Sequence, residues 1–505
     1  MYTGITPIEN AVRADRQGAK RHYGVHPYFT RRPYNVVRQY ILHYSREGDS
    51  VLDPFGGSGV TAIEAFLENR IGIQNDINPL ANFIARGVAG LHRGDVEDYK
   101  RALHLVRERC KPVLDRIGTA SQAELTEIQR YQRLPPNVDL PSNSDVRRYY
   151  DLFSPRQLTS LAVLKDAIDE IDNRPARQGM LLAWSATLAK LNKTFLSAEG
   201  RAESRGGSSI FSIYRYKVAK NPVELPPWQT FEERALNVLS AKMEVDKHVE
   251  MKRKTTGWSG RFEAHSYDIP HLTQRYSGKI DYIFTDPPYG GHISYLDLST
   301  LWNCWLGMMP KRSLREAELI VGGELHLSEQ TYTSRLGESV QACLKMLRRQ
   351  RWLSIVFQHW NIAYFEAILA SAAAAGAELR AAVSQVGDPI WSMHKKKGSE
   401  SVLAGELILT FIKTGRSNTF RPVNGFDVEQ AVDEVLSSTP DDRIYGEYLF
   451  NRIVIAAWQK GAIELLNISR TEFIGLIQRS GWHYDEKNHF WVRHRQPATL
   501  FTSVV

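Results

Sequence analysis

Ser50-Val51-Leu52-Asp53-Pro54-Phe55-Gly56-Gly57-Ser58-Gly59-Val60-Thr61 opens the passage that decides the fold. A short strand at Ser50 to Leu52 runs into a glycine-rich turn. The pattern downstream predicts a helix from about Thr61 to Asn69, a second strand at Ile71 to Asn75, and an acid, Asp76, at its end. Strand, glycine turn, helix, strand and acid, in that order, build a nucleoside-binding unit of an α/β protein. The glycines let backbone pass close to a ligand and let the helix start at once. The acid can accept hydrogen bonds from two ribose hydroxyls, and the 17 residues from Gly59 to Asp76 are close to the roughly 20 expected. A glycine-rich turn that binds nothing has the same local sequence.

The chemistry of the ligand follows from what flanks the turn. A phosphate-binding loop needs a lysine before its Ser or Thr, and Val60 stands there. Gly57-Ser58-Gly59-Val60-Thr61-Ala62 does fit the dinucleotide pattern G-x-G-x-x-A, which leaves a nucleotide-dependent oxidoreductase as one reading. Against it, Asp53 would repel a pyrophosphate and attract an ammonium group. A nucleoside with an amino-acid tail, S-adenosylmethionine, satisfies Asp53 and Asp76 together.

Further along, Lys279-Ile280-Asp281-Tyr282-Ile283-Phe284-Thr285-Asp286-Pro287-Pro288-Tyr289-Gly290-Gly291 has the same form of a strand that stops at an acid. Ile280 to Phe284 reads as a buried strand. Two prolines then end the ladder, because each lacks an amide hydrogen and fixes φ. The turn presents a carboxylate, a carbonyl and a flat ring in fixed relation. That suits a planar substrate with an amino group, although an ordinary proline turn can cap a strand in the same way. Gly290 and Gly291 read as a mobile hinge.

The 505 residues are enough for two to four structural units, and 43% hydrophobic with 24% charged residues is the composition of an ordinary soluble protein. No stretch reaches the roughly 18 apolar residues of a spanning helix. The first residues lack a signal-peptide pattern, so a cytoplasmic setting is expected. The three cysteines, Cys110, Cys304 and Cys343, are scattered, which predicts neither disulfides nor a metal site. A net charge of +8 is compatible with a polyanionic partner.

Residues 1 to 25 read as a polar, basic arm, and His26 to Tyr34, with prolines near both ends and Arg31-Arg32 between, as a shaped loop. Residues from about 96 to 260 read mostly as helix. Within them Arg205, Arg215 and Lys217, interleaved with Tyr214, Tyr216 and glycines, can track a phosphate backbone and stack on bases. Lys395 and Lys396 can also contact phosphates. Both groups are equally ordinary for solvated loops. Asp268, at another strand end, can accept from an adenine amino group or cap the helix that follows. Helices followed by a hairpin at His483 to Val492, within about 420 to 505, suggest a winged-helix-like appendage.

With Phe55, Gly57 and Gly59 in one stretch and Asp286-Pro287-Pro288-Tyr289 in the other, the chain resembles the amino-group DNA methyltransferases, which modify N6 of adenine or N4 of cytosine. The His26 to Ile41 segment is similar to the helix and loop that precede the cofactor motif in many members. The resemblance covers residues 26 to 95 and 260 to 415. It implies a Rossmann-like, S-adenosylmethionine-dependent α/β core divided as 1–95 and 261–415, with a helical insertion for target recognition at 96–260 and a small appendage at 416–505. It also implies a cofactor set of Asp53, Pro54, Phe55, Gly57, Gly59, Asp76, Ile77 and Asp268, and a catalytic set of Asp286, Pro287, Pro288 and Tyr289. The expected partner is double-stranded DNA, with restriction or defence-system proteins as further candidates; oligomeric state is left open. An acid at the first catalytic position is more usual for adenine members, so Asp286 favours N6 of adenine. Asp-Pro-Pro-Tyr-Gly also resembles RNA methyltransferases acting on guanine N2, and a catalytically silent DNA-binding subunit is a third reading.

Overall fold

The computed structural model describes residues 2–15, 21–196, 207–291, 293–385, 406–416, 427–439, 442–444, 446–460, 462–466, 468–485 and 490–493. Contacts divide the chain into two compact units, Asp15–Tyr332, and Met1–Ala14 with Thr333–Val505.

In the first unit the expected start is present as strand Ser50–Asp53, helix Val60–Leu67 and strand Ile71–Asn75. Strands Arg261–His265 and Ile280–Thr285 join them in a parallel set. Their order across the sheet is Arg261–His265, Ile71–Asn75, Ser50–Asp53, Ile280–Thr285. Every residue of Ile280–Thr285 is buried, as in a strand covered on both faces. Asp281 is tolerated inside it because Oδ2 accepts from the Ser50 amide at 2.9 Å and the Ser50 hydroxyl at 2.8 Å. Those bonds also fix the starts of the two neighbouring strands side by side.

The strand order turns at Ser50–Asp53, with its helix-connected partner on one side and Ile280–Thr285 on the other. In open α/β sheets ligands bind at such a switch point, outside the carboxyl ends of the strands. Asp53 ends one of these strands, and Asp286 follows the other by one residue. The glycines that make the turn serve the protein's own packing as well. Gly59 starts the helix at φ +92°, and a Cβ there would lie 2.6 Å from Ala85 Cβ. A Cβ on Gly56 would lie 2.0 Å from Gln74 Oε1.

Residues 96 to 256 are largely helical, with Val96–Thr119, Gln122–Gln129, Pro155–Asp169, Arg174–Leu188 and the 30-residue Pro227–Thr256. Ser121 and Ser154 close capping boxes with Glu124 and Gln157. These helices pack on one another and on the parallel core. Lys242, 3% exposed, anchors the longest helix to the core by donating to the carbonyls of Leu91, Arg93 and Gly94 at 2.9, 3.2 and 2.8 Å. The block also grips the segment that follows the proline turn. Tyr149 Oη donates to Leu301 O at 2.5 Å, Tyr216 Oη to Leu298 O at 2.7 Å, and Trp302 Nε1 to Ser185 O at 2.9 Å.

The second unit contains the antiparallel strands Leu347–Phe357, Glu406–Lys413 and Ala377–Gln385, in that order. Residues 2 to 12 are not a free arm, because Trp352 Nε1 donates to Tyr2 O at 2.9 Å and the Val12 amide donates to Gln385 Oε1 at 3.2 Å. Apolar and aromatic side chains among the polar ones, Tyr2 and Val12, tie that stretch down. Helices Val428–Ser437, Gly446–Gln459 and Arg470–Arg479 follow, with strand Arg443–Ile444 between the first two. The hairpin Trp482–Asp485 with Phe490–Arg493 comes last, and Arg443–Ile444 pairs with its second strand.

Candidate active site

A cavity of about 160 Å³ opens at the switch point. It brings together Asp53, Pro54, Phe55, Gly57, Asp76 and Ile77 from the first motif and Asp286, Pro287, Pro288 and Tyr289 from the second. The two motifs are joined directly by Thr285, whose hydroxyl donates to Asp53 Oδ1 at 2.8 Å.

Asp53 is 4% exposed. Its Oδ2 accepts from the Thr61 hydroxyl at 2.8 Å, and its Oδ1 also accepts from the Phe55 amide at 3.1 Å. The carboxylate thus shapes the turn while its edge lines the cavity. Burial pushes its pKa up to about 7, and the nearby Asp286 charge acts in the same direction. Asp76 holds the turn from the other side, accepting from the Gly57 amide and the Asn78 amide, both at 2.8 Å. Burial raises it to about 6. Each carboxylate oxygen carries two lone pairs, so Asp76 keeps acceptor capacity for a ligand hydroxyl.

Not every expected residue faces the cavity. Gly59 lies behind it, under the helix start. Asp268 caps helix Ile269–Tyr276, its Oδ1 accepting from the His271 amide at 2.9 Å and pairing with His271 Nδ1 at 2.6 Å; its neighbours Tyr267 and Ile269 line the cavity instead. Gly290 and Gly291 do not form a free hinge. The Gly290 carbonyl accepts from the Val321 amide at 3.3 Å, and a Cβ on Gly291 would lie 2.7 Å from Val321 O. Close approach of residue 321 is the reason for glycine there. Arg215 is ion-paired with Asp145, Lys217 is exposed, and Tyr216 is fully buried rather than open for stacking. Arg205, Lys395 and Lys396 lie outside the described residues.

In the proline turn, the Pro288 carbonyl accepts from the Tyr332 hydroxyl at 2.5 Å. Among the described residues the Pro287 carbonyl has no hydrogen-bond donor. Tyr289 Oη donates to Asp286 Oδ1. Thus an acid oxygen, a carbonyl and a ring converge at one end of the cavity.

Three contributions were not assigned from sequence. Arg32 reaches Asp286 with Nε to Oδ2 at 2.5 Å and Nη2 to Oδ1 at 3.0 Å, and also donates to the Tyr289 hydroxyl. Its place was half visible, since the shaped loop and its paired arginines are plain in the sequence. Tyr28, from the same loop, packs against Gly57 and stacks on Tyr295 with centroids 6.4 Å apart. Glu318, 8% exposed, accepts from the Leu296 amide at 3.2 Å, and burial pushes its pKa up to about 8. Nothing in the polar stretch around Glu318 marks it.

Comparison with known proteins adds to this geometry. A family profile described as DNA methylase matches residues 7–82, which include the glycine turn and Asp76. The chain is also similar to the Type II methyltransferase M.MjaII of Methanocaldococcus jannaschii, at 24% identity over 56% of this chain and 62% of that protein. Both comparisons point to the amino-methyltransferases, the profile over residues 7–82 and the relative over 56% of the chain. The chain spans less than two thirds of the length of that relative. No solved structure matches it. Among the described residues there is no cluster of metal-ligating side chains, and no helix is long and apolar enough to cross a membrane.

Proposed function

We propose that the chain transfers a methyl group from S-adenosylmethionine to the exocyclic amine of a base flipped out of DNA, with N6 of adenine favoured by the acid at position 286. The reading rests above all on one observation: Asp53 ends one of two adjacent parallel strands, Asp286 immediately follows the other, and both share one cavity with the glycine turn and Asp76. The fold is then read as a Rossmann-like methyltransferase core, the helical block as its target-recognition element, and residues 416 to 505 as a winged-helix-like appendage.

The residues present suit this cofactor. Three acids in the cavity, Asp53, Asp76 and Glu318, are raised by burial, so a cation beside them restores the ionised form. Asp76 would accept from ribose hydroxyls, and the cavity edge of Asp53 would face the ammonium end. When bound, the cofactor supplies an electrophilic methyl group on a sulfonium. The protein's part is positioning and electrostatics. Tyr289 offers a face for the flipped base. The Asp286 carboxylate and the Pro287 carbonyl accept hydrogen bonds from its amino group, which draws the nitrogen lone pair out of conjugation and aims it at the methyl. Asp286, close by, can accept the proton that the amine then loses. No thiol is needed, and the three cysteines are buried.

Tritiated methyl transfer tests the substrate class. Label is expected in unmethylated duplex DNA and not in transfer RNA, and digestion to nucleosides should place it on N6-methyladenine. Label confined to RNA would overturn the reading. Asp286→Ala is expected to lower transfer by about a hundredfold to a thousandfold, the scale of losing one preorganised hydrogen-bonding group, while cofactor affinity stays within about threefold of wild type. A collapse of cofactor binding would mean that Asp286 supports the cofactor cavity instead.

A further inference from the structure

Among the described residues, Arg32 is the cation that meets the proposed amine site directly. Two of its nitrogens lie against the two oxygens of Asp286, and one of them also donates to the Tyr289 hydroxyl. Its guanidinium carbon lies 5.8 Å from the centroid of the Tyr289 ring. Arg32 and Asp286 are largely shielded, with side-chain exposures of 17% and 21%. A guanidinium is planar and carries N–H donors in its plane. So does the amino edge of adenine or cytosine. The groups that would bind the base are therefore already engaged by a side chain of the same shape and donor pattern.

The arginine is held there by its chain neighbours. Arg31 is half-buried and bonds to the glycine turn and to its own loop instead. It donates from Nε to the Ser58 hydroxyl at 3.0 Å, from Nη2 to His26 O at 3.1 Å, and from Nη1 to Tyr23 O. Pro33, with φ fixed at −58°, begins helix Tyr34–Tyr44 immediately afterwards. His26 anchors the start of the loop through Nε2 to the Ser185 hydroxyl at 2.8 Å, and burial pushes its pKa down to about 3, so it is neutral. The loop is thus fastened to the glycine turn by one arginine and presents the next one to the catalytic turn.

We propose that Arg32 is a built-in stand-in for the target base: its guanidinium fills the amine site of the free protein and must be displaced from Asp286 before a base can enter. This rests on the reading of Asp286 to Tyr289 as the amine site. Arg32 acts here as a positioning residue. It holds the Asp286 carboxylate and the Tyr289 hydroxyl occupied until a base displaces it. Because any base must outcompete a bidentate charged pair, it also makes entry selective for bases that other DNA contacts push into the pocket.

Binding of free adenosine to protein saturated with sinefungin, measured by equilibrium dialysis, tests this without a known recognition sequence. Removing the competitor with Arg32→Ala should tighten adenosine binding at least about fivefold. Arg32→Lys, which keeps the charge but not the planar fork, should fall between that and wild type. Adding methylguanidine to Arg32→Ala should restore the weak binding by refilling the slot, and should leave wild type unchanged. Unaltered or weaker adenosine binding in Arg32→Ala would overturn the proposal, as would insensitivity to methylguanidine. Loss of sinefungin binding in both variants would also overturn it, since Arg32 would then be supporting the cofactor cavity. The two readings fail separately. DNA methylation with no change in adenosine binding removes only the role of Arg32; a gain in adenosine binding by a protein that never labels DNA removes only the proposed substrate.

Discussion

Asp53, Asp76 and Glu318 face one small cavity, and each is raised by burial, to about 7, 6 and 8. Between the unfolded values near 4 and these folded values, the folded protein holds more protons than the unfolded chain. Stability without ligand therefore falls as pH rises through that window. A bound cation reverses the sense locally, because it favours the ionised acids. The affinity for S-adenosylmethionine is expected to rise from pH 5.5 to 7.5, by up to about tenfold per pH unit for each proton that must leave. S-adenosylhomocysteine, whose sulfur is neutral, should show a shallower rise. Titration calorimetry with both ligands at several pH values measures the difference, and equal, flat profiles would mean that the acids do not face the sulfonium.

Lys242 shows how much the helical block depends on one residue of helix Pro227–Thr256. Its ammonium satisfies three carbonyls where the core helix Pro79–Ala89 and the turn after it end, and it pairs with Asp246 at 3.0 Å. Lys242→Met keeps the apolar stem but leaves those carbonyls without their buried donor, so it should cost about 2–4 kcal/mol. The cost should appear in the melting transition that cofactor also shifts; a change within about 0.5 kcal/mol, the range of neutral surface substitutions, would show that the carbonyls find other partners. Elements of this kind were only partly legible. Strand Ser50–Asp53, its glycine turn and Asp76 could be read because turn chemistry and periodicity are local, and so could the proline turn at 286. Sequence could not join Arg32 to Asp286, since their contact depends on the sheet bringing distant segments together. Nor could it show that Tyr216, set among basic residues, is a buried bracket, or that Gly291 serves the approach of Val321. Composition describes a residue's neighbours in sequence, whereas these roles depend on its neighbours in space.

The whole chain carries 64 basic and 56 acidic side chains, so its charge of +8 is a small excess within a dense mixture. In the helical block much of the basic charge is answered by nearby acids, as in Arg101 with Asp98, Arg109 with Glu170, Arg133 with Asp166, and Arg148 with Asp139. Arg215 is in the same position. Asp145 accepts from its guanidinium and also from the Val218 amide at 3.2 Å. Exposed pairs of this kind contribute only about 0–1 kcal/mol, but each acid still offsets the attraction of its partner for a phosphate. If the block tracks DNA, Lys217, which is exposed, should contribute a full phosphate contact and Arg215 only part of one. Lys217→Ala is then expected to lower the slope of log affinity against log salt by about 0.9, the loss of one neutralised phosphate. Asp145→Asn, which keeps an acceptor for Val218 but removes the charge, should raise DNA affinity at low salt and steepen the slope by up to the same amount. Fluorescence anisotropy on one duplex across a salt series measures both variants. Slopes unchanged in both would place the DNA path away from residues 214 to 217 and leave that segment its packing role through Tyr216.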